Sequence, residues 1–242
     1  MNTHFDPKYK CLEAEFRAQC KRDGSVYLPN IEPKQAVDYI LVCMEPSIGR
    51  WANNSADKAN ELVQQGFRNF LWSTEDFILH YCAQRYLCKP GQRYHVTDIS
   101  KGAMTVADAN TDRKMRYKKW LPLLKREIEL LSNPSVTIIS VGNAVQAELS
   151  RANIKNSPIL HFSPLASGAR NKSVVEHPED YKAYRESLSD ELLKDMAKEA
   201  IAASASPGAH PLLQGRIDKI KLTESRKKLL YSYKVLFENI SN

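Results

Sequence analysis

The chain has no closely spaced cysteine pair: Cys11, Cys20, Cys43, Cys82 and Cys88 are odd in number and contain no CxxC. That argues against a disulfide framework and against a four-ligand metal site, so no metal is expected. Also missing are an apolar signal segment and any run of ~18 apolar residues, the length a membrane span requires. No membrane association is therefore expected, and a reducing cytoplasm is the simplest setting. There is no internal repeat. Acidic residues are in deficit, 28 against 35 lysines and arginines, which leaves a net charge of +7. This imbalance favours an anionic partner, although basic chains without a nucleic-acid role are common.

What remains is ordinary globular material. Its 242 residues are 43% hydrophobic and 26% charged, enough for one large domain with a full core. Three β-branched runs, at 38–43, 94–99 and 136–141, read as buried strands, with 159–161 as a shorter fourth. Helical spacing marks 74–87, where Ser73 or Thr74 provides a cap, and 120–131. Another helix starts at Asn143, directly after Gly142. Strands alternating with helices predict an α/β layered fold, a central and largely parallel four-stranded sheet flanked by helices. Beyond residue 178 the pattern turns helical. A small-residue, linker-like stretch at 202–210 divides a domain at 1–201 from a basic helical extension at 211–242. That tail reads either as a solvated face packed on the core or as a DNA-contacting arm.

In parallel sheets, ligands sit at the carboxyl ends of strands. Glu45 follows the first strand, Asp98 lies in the end of the second, and His161 ends the last. His161 opens a loop of small residues, 161–169, with Arg170 and Lys172 at its far end. Such a loop suits close approach to a polyanion.

Four segments in chain order carry a resemblance. They are Cys43-Met44-Glu45-Pro46-Ser47, Tyr94-His95-Val96-Thr97-Asp98-Ile99-Ser100-Lys101, the helix and strand leading to Gly142-Asn143-Ala144-Val145, and the loop from His161 to Lys172. Together they resemble the motifs of the uracil-DNA glycosylase superfamily over residues 38–172. The iron–sulfur branch of that superfamily has cysteines where this chain has Gly102 and Trp120, so no cluster or other cofactor is expected. The resemblance implies a monofunctional enzyme, acting as a monomer on DNA, that hydrolyses the N-glycosidic bond of a flipped base.

In that scheme Glu45 orients water and stabilises the cationic sugar, while His161 donates to the departing base. Phe70 stacks on the base, with Phe67 as the alternative. Leu165 fills the vacated stack, and Lys101, Ser163, Arg170 and Lys172 hold phosphates, with Ser47 a further candidate. Each residue has a plainer reading too: a capping or core histidine, an exposed turn glutamate, a core phenylalanine, solvated surface.

Two departures bear on the base. Asp98 stands where uracil readers carry Asn, and an ionised carboxylate only accepts, so it would welcome the N4 amine of cytosine. A protonated Asp98 would still serve uracil. Ser47 stands where common uracil enzymes carry a Tyr that blocks C5. Together these imply a C5-modified cytosine, hydroxymethylated or glucosylated, as met in some phage DNA, and hence a role in phage defence. The alternatives are a uracil repair enzyme and a non-cleaving module that binds modified DNA.

Overall fold

A computed structural model of the chain describes residues 5–163, 166–204 and 210–242. The β-branched run at 38–43 forms the middle of strand β2 (Val37–Cys43), flanked by β3 (Tyr94–Asp98) and β5 (Ser132–Val141), with β6 (Ser157–Ile159) beyond β5. The order β3-β2-β5-β6 is parallel throughout, so the expected α/β fold and four-stranded sheet are present. A two-residue strand, β1 (Val26–Tyr27), pairs with β4 (Gly102–Ala103) outside this sheet. The chain runs from β2 to β3 on one side and then crosses back from β3 to β5 on the other side of β2. The chain therefore changes direction at β2, and a crevice forms at the carboxyl end of this strand.

Alternation along β2 supplies both faces of the sheet. Ile40 and Val42 pack against helices α1 (Phe5–Asp23), α5 (Arg113–Leu131) and α6 (Asn143–Arg151), through Phe16, Trp120 and Leu149. Tyr39, Leu41 and Cys43 face the other layer. That layer holds α2 (Ala56–Gln64), α3 (Thr74–Cys82) and the C-terminal helices α9 (Asp190–Ser204), α10 (His210–Ile217) and α11 (Glu224–Ser241). Two further helices, α7 (Ser167–Glu176) and α8 (Pro178–Glu186), also lie against α11, while α4 (Val106–Asn110) is a short turn before α5.

Several expectations shift. The helix expected over 74–87 is α3 followed by a π-helical turn at Ala83–Leu87, and it starts with a full capping box between Ser73 and Asp76. Helix α5 begins well before the expected 120, carrying Pro122 inside it. Strand β5 starts at Ser132, with a register shift opposite Val37 and Tyr39. Part of the small-residue loop at 161–169 is already helical, since α7 starts at Ser167.

The boundary drawn at 201–211 also needs correction, because the tail is not an appended unit. Leu213, Ile217, Leu229, Leu230, Tyr233 and Phe237 are fully buried in the same core as β2 and α3. The apolar stripe of α11 completes the domain. Its cations are largely engaged locally: Arg226 pairs with Glu75 at 2.8 Å, Lys228 Nζ donates to Asn171 at 2.9 Å, and Lys234 meets Glu238 at 2.8 Å.

Candidate functional site

A cleft of about 280 Å³ opens at the carboxyl ends of β2 and β3 and beside the segment following β6. It brings together Glu45, Ser47, Phe70, Asp98 and His161, five positions marked from sequence, on the N-terminal side of α3. A larger hollow of about 470 Å³ lies at the amino end of β3 against α9, lined by residues such as Tyr94, Gln84 and Glu199. None of the sequence-marked residues reaches it.

The local sequence explains how each side chain is held. Met44-Glu45-Pro46 leaves the last residue of β2, and Glu45 turns back toward α5. Its Oε1 accepts from Arg113 Nε at 2.9 Å and lies 2.7 Å from Arg113 Nη2, while Tyr117 OH donates to Oε2. With two lone-pair directions on each carboxylate oxygen, Oε1 is filled and Oε2 keeps one acceptor direction.

His161 packs against Gly142, whose φ of +95° and missing side chain make room for it: a Cβ there would lie 3.1 Å from His161 Cβ. The Ser163 N–H donates to His161 Nδ1 at 2.9 Å, so in the neutral ring the proton sits on Nε2. Burial, aided by the Arg170 charge, lowers the His161 pKa and keeps the imidazole neutral at pH 7. The ring stacks on Phe162 at 4.5 Å. This is a neutral donor, aimed from a fixed ring.

Asp98 is 2% exposed. Asn69 Nδ2 donates to its Oδ2 at 2.6 Å, and among the described residues no donor reaches Oδ1. Oδ1 is not sealed away either, because the enclosed unpartnered side-chain atoms among those residues belong to His95, Arg116 and Arg170. Burial raises the Asp98 pKa to about 8; Lys101 opposes the shift, and Glu45, Glu127 and Asp76 add to it. The carboxyl is thus mostly protonated at pH 7. Of the two states weighed for Asp98, burial favours the neutral acid, because desolvation outweighs the nearby lysine.

Phe70 is buried at the cleft with a left-handed φ of +62°, a conformation that costs a non-glycine residue energy. Two neighbours hold it there. Asn69 Oδ1 accepts from the Phe70 N–H at 3.0 Å, and His80 Nε2 donates to its carbonyl at 3.1 Å. Ser47 is exposed on the rim, and its carbonyl accepts from Trp51 Nε1 at 2.8 Å. Phe67, the alternative stacking residue, lies at 4.6 Å in a parallel stack with Trp51.

Two proposed phosphate contacts are corrected. Lys101 is 2% exposed, and its Nζ donates to Glu127 at 2.7 Å, to the Asp98 main-chain carbonyl at 2.9 Å and to Thr97. It is a core cation with its charge already matched. Arg170, also buried, donates to the carbonyls of Phe162 and Ser163 and to Ser225 Oγ at 2.9 Å. It braces the His161 loop from α7 and α11. Lys172, by contrast, is 78% exposed on α7. Ser163 is half-buried and serves His161 through its amide, and Leu165 lies outside the described residues.

Sequence reasoning missed Asn69, Arg113, Tyr117, Trp51, Trp72 and Phe162. Nothing in the run Arg68-Asn69-Phe70 marks Asn69 as a partner of Asp98, since that contact spans two layers. The Arg113–Glu45 pair was hidden because helix α5 begins earlier than its apolar stripe. No helix among the described residues is long and apolar enough to cross a membrane. No family model matches the sequence, and no curated protein or solved structure matches it.

Proposed function

We propose that the chain is a monofunctional DNA glycosylase that hydrolyses the bond between deoxyribose and a C5-modified cytosine, as a defence against phage DNA. The observation that carries this reading is the convergence of Glu45, Asp98, Phe70 and the neutral His161 in one cleft at the sheet's carboxyl edge. Cleavage leaves positive charge on the sugar and negative charge on the departing base. His161 Nε2–H donates to the base oxygen as it gains charge, at no cost of deprotonation. The open lone pair of Glu45 Oε2 holds the attacking water, while Arg113 and Tyr117 fix the carboxylate. Phe70 stacks on the extruded base. Ser47, on the exposed rim, leaves room beside C5.

Of the cations proposed for phosphate, exposed Lys172 remains suited to the task. A uracil-DNA glycosylase is the second reading, favoured by the protonated state of Asp98, which offers a donor to uracil O4.

Duplexes bearing 5-hydroxymethylcytosine, its glucosylated form, or uracil separate these readings after heat–alkali treatment. Strand breakage with a modified cytosine and none with uracil is the expected result. Breakage with uracil alone would replace the substrate assignment. Tight binding without abasic product from any base would make the protein a recognition module.

A further inference from the structure

We infer that Asp98 is a general acid as well as a reader: its carboxyl delivers a proton to ring N3 of the flipped cytosine as the glycosidic bond breaks. The inference deepens the glycosylase reading and rests on it. The chemistry creates the need. Cytosine is a poorer leaving group than uracil because its departing anion lacks a second carbonyl to share the charge. Protonating N3 removes that handicap.

The surroundings of Asp98 favour such a proton. The carboxyl lies at the end of β3, and among the described residues no lysine, arginine or histidine forms an ion pair with it. Lys101, the closest cation in sequence, turns its Nζ to the Asp98 main-chain carbonyl and to Glu127 of α5 instead. The other ionisable groups that act on Asp98 are acids or neutral: Glu45 after β2, Asp76 of α3, Glu127 and Tyr117 of α5, and Cys43 of β2. Burial pushes Cys43 and Tyr117 upward, so neither contributes charge at neutral pH. A carboxyl so placed is stable as the neutral acid.

Asn69 then decides which oxygen bears the proton. Its Nδ2 donates to Oδ2 at 2.6 Å, which makes Oδ2 the carbonyl-like oxygen and leaves the unpartnered, unsealed Oδ1 as the hydroxyl. Asn69 is fixed in that role, since its Nδ2 also reaches Asn30 Oδ1 at 3.3 Å and its Oδ1 holds the Phe70 amide. A neutral carboxyl presenting O–H and C=O complements the N3 acceptor and N4 amine of cytosine. In the reaction the Oδ1–H bond breaks and an N3–H bond forms. The electron pair of the glycosidic bond passes to the base, which leaves neutral. Water adds to the sugar carbon and loses one proton, and Asp98 regains one from solvent, so the protein ends unchanged.

The decisive experiment leaves the protein intact. Single-turnover cleavage is measured on duplexes carrying 5-hydroxymethylcytosine, with and without glucose, and on their 3-deaza analogues, from pH 5 to pH 10. The expected result is a rate at least about 100-fold lower on the 3-deaza base, the scale of general acid catalysis. The parent duplex should show a rate that is flat at low pH and falls tenfold per unit once Asp98 ionises. In the positioning variant Asn69→Ala, which lacks a donor to the anion, that alkaline limb should move to higher pH. A purely structural loss would lower the rate at every pH without moving the limb. Equal rates on parent and 3-deaza duplexes, or a parent rate that does not fall at high pH, would overturn the acid role and leave the glycosylase reading standing. No cleavage of either parent duplex would overturn both.

Discussion

Asp98 and Glu127 are two buried carboxyls on opposite faces of the sheet, and burial leads them to opposite protonation states. The pleat of β3 separates them. His95 and Thr97 point toward α5, where Thr97 Oγ1 donates to Glu127 at 2.9 Å, while Asp98 looks into the cleft with Tyr94 and Val96 in its layer. Glu127 is wholly buried, which by itself raises its pKa, but Lys101 at 2.7 Å and His95 at 3.6 Å more than compensate and bring it well below the usual carboxylate range. Asp98 has an amide for a partner and no cation, so desolvation prevails. Both carboxyls are almost wholly buried, Glu127 in the core and Asp98 at the wall of the cleft. The difference lies in whether a matched charge was buried alongside, and it separates an ionised, paired carboxylate from a neutral acid.

The contrast is broken most directly at Glu127. Glu127→Gln leaves Lys101 charged and enclosed, a loss of about 3–5 kcal/mol of stability in urea unfolding. The double variant Lys101→Met, Glu127→Leu should recover most of it, because the pair goes together. A single variant costing under about 1 kcal/mol would mean that the pair is not a sealed one.

Arg170→Met comes next. It strips the carbonyls of Phe162 and Ser163 of their buried donor, worth about 2–3 kcal/mol, and frees the loop that fixes the His161 tautomer. Proton and nitrogen NMR of His161 should report mixed tautomers, and an unchanged single tautomer would show that Ser163 suffices.

The pH dependences of the two carboxyls are opposite in sign. A buried acid with a raised pKa binds more protons folded than unfolded, so Asp98 draws stability away as pH rises from about 4 to about 8. Asp98→Asn should therefore raise the melting temperature over the wild type by an amount that grows across this window. Each unit of displacement is worth about 1.4 kcal/mol. Glu127, with its lowered pKa, contributes stability that is present above its unfolded value and lost in strong acid. A flat difference curve for Asp98→Asn would place the titration elsewhere. The smallest effect belongs to Lys172→Ser, which should change stability by less than about 0.5 kcal/mol and lower the salt slope of DNA binding by about 0.9.

These effects also mark what the sequence disclosed. The β-branched runs located the sheet, and position at strand ends singled out Glu45, Asp98 and His161, because strand periodicity and sheet topology are local and general rules. The partners of those residues were not legible. Asp98 is held by Asn69, and Glu45 by Arg113 and Tyr117, all far away in the chain. Lys101 and Arg170 misled for the same reason: a cation beside a motif looks the same in sequence whether it meets solvent or a buried acceptor.

The bracing of the His161 loop by α11 has a temporal side. Tyr233 OH donates to the Leu160 carbonyl at 3.1 Å, and Ser232 Oγ donates to the Arg170 carbonyl at 3.2 Å, so the segment after the last strand and the start of α7 wait for residues made 73 and 62 positions later. On a ribosome that emits the chain from its N-terminus, Glu45, Asp98 and Phe70 emerge long before their imidazole is set. A growing or truncated polypeptide that stops short of α11 would thus carry the cleft with its imidazole unpositioned. On the glycosylase reading proposed above, unfinished copies would be held inactive by the order of synthesis alone.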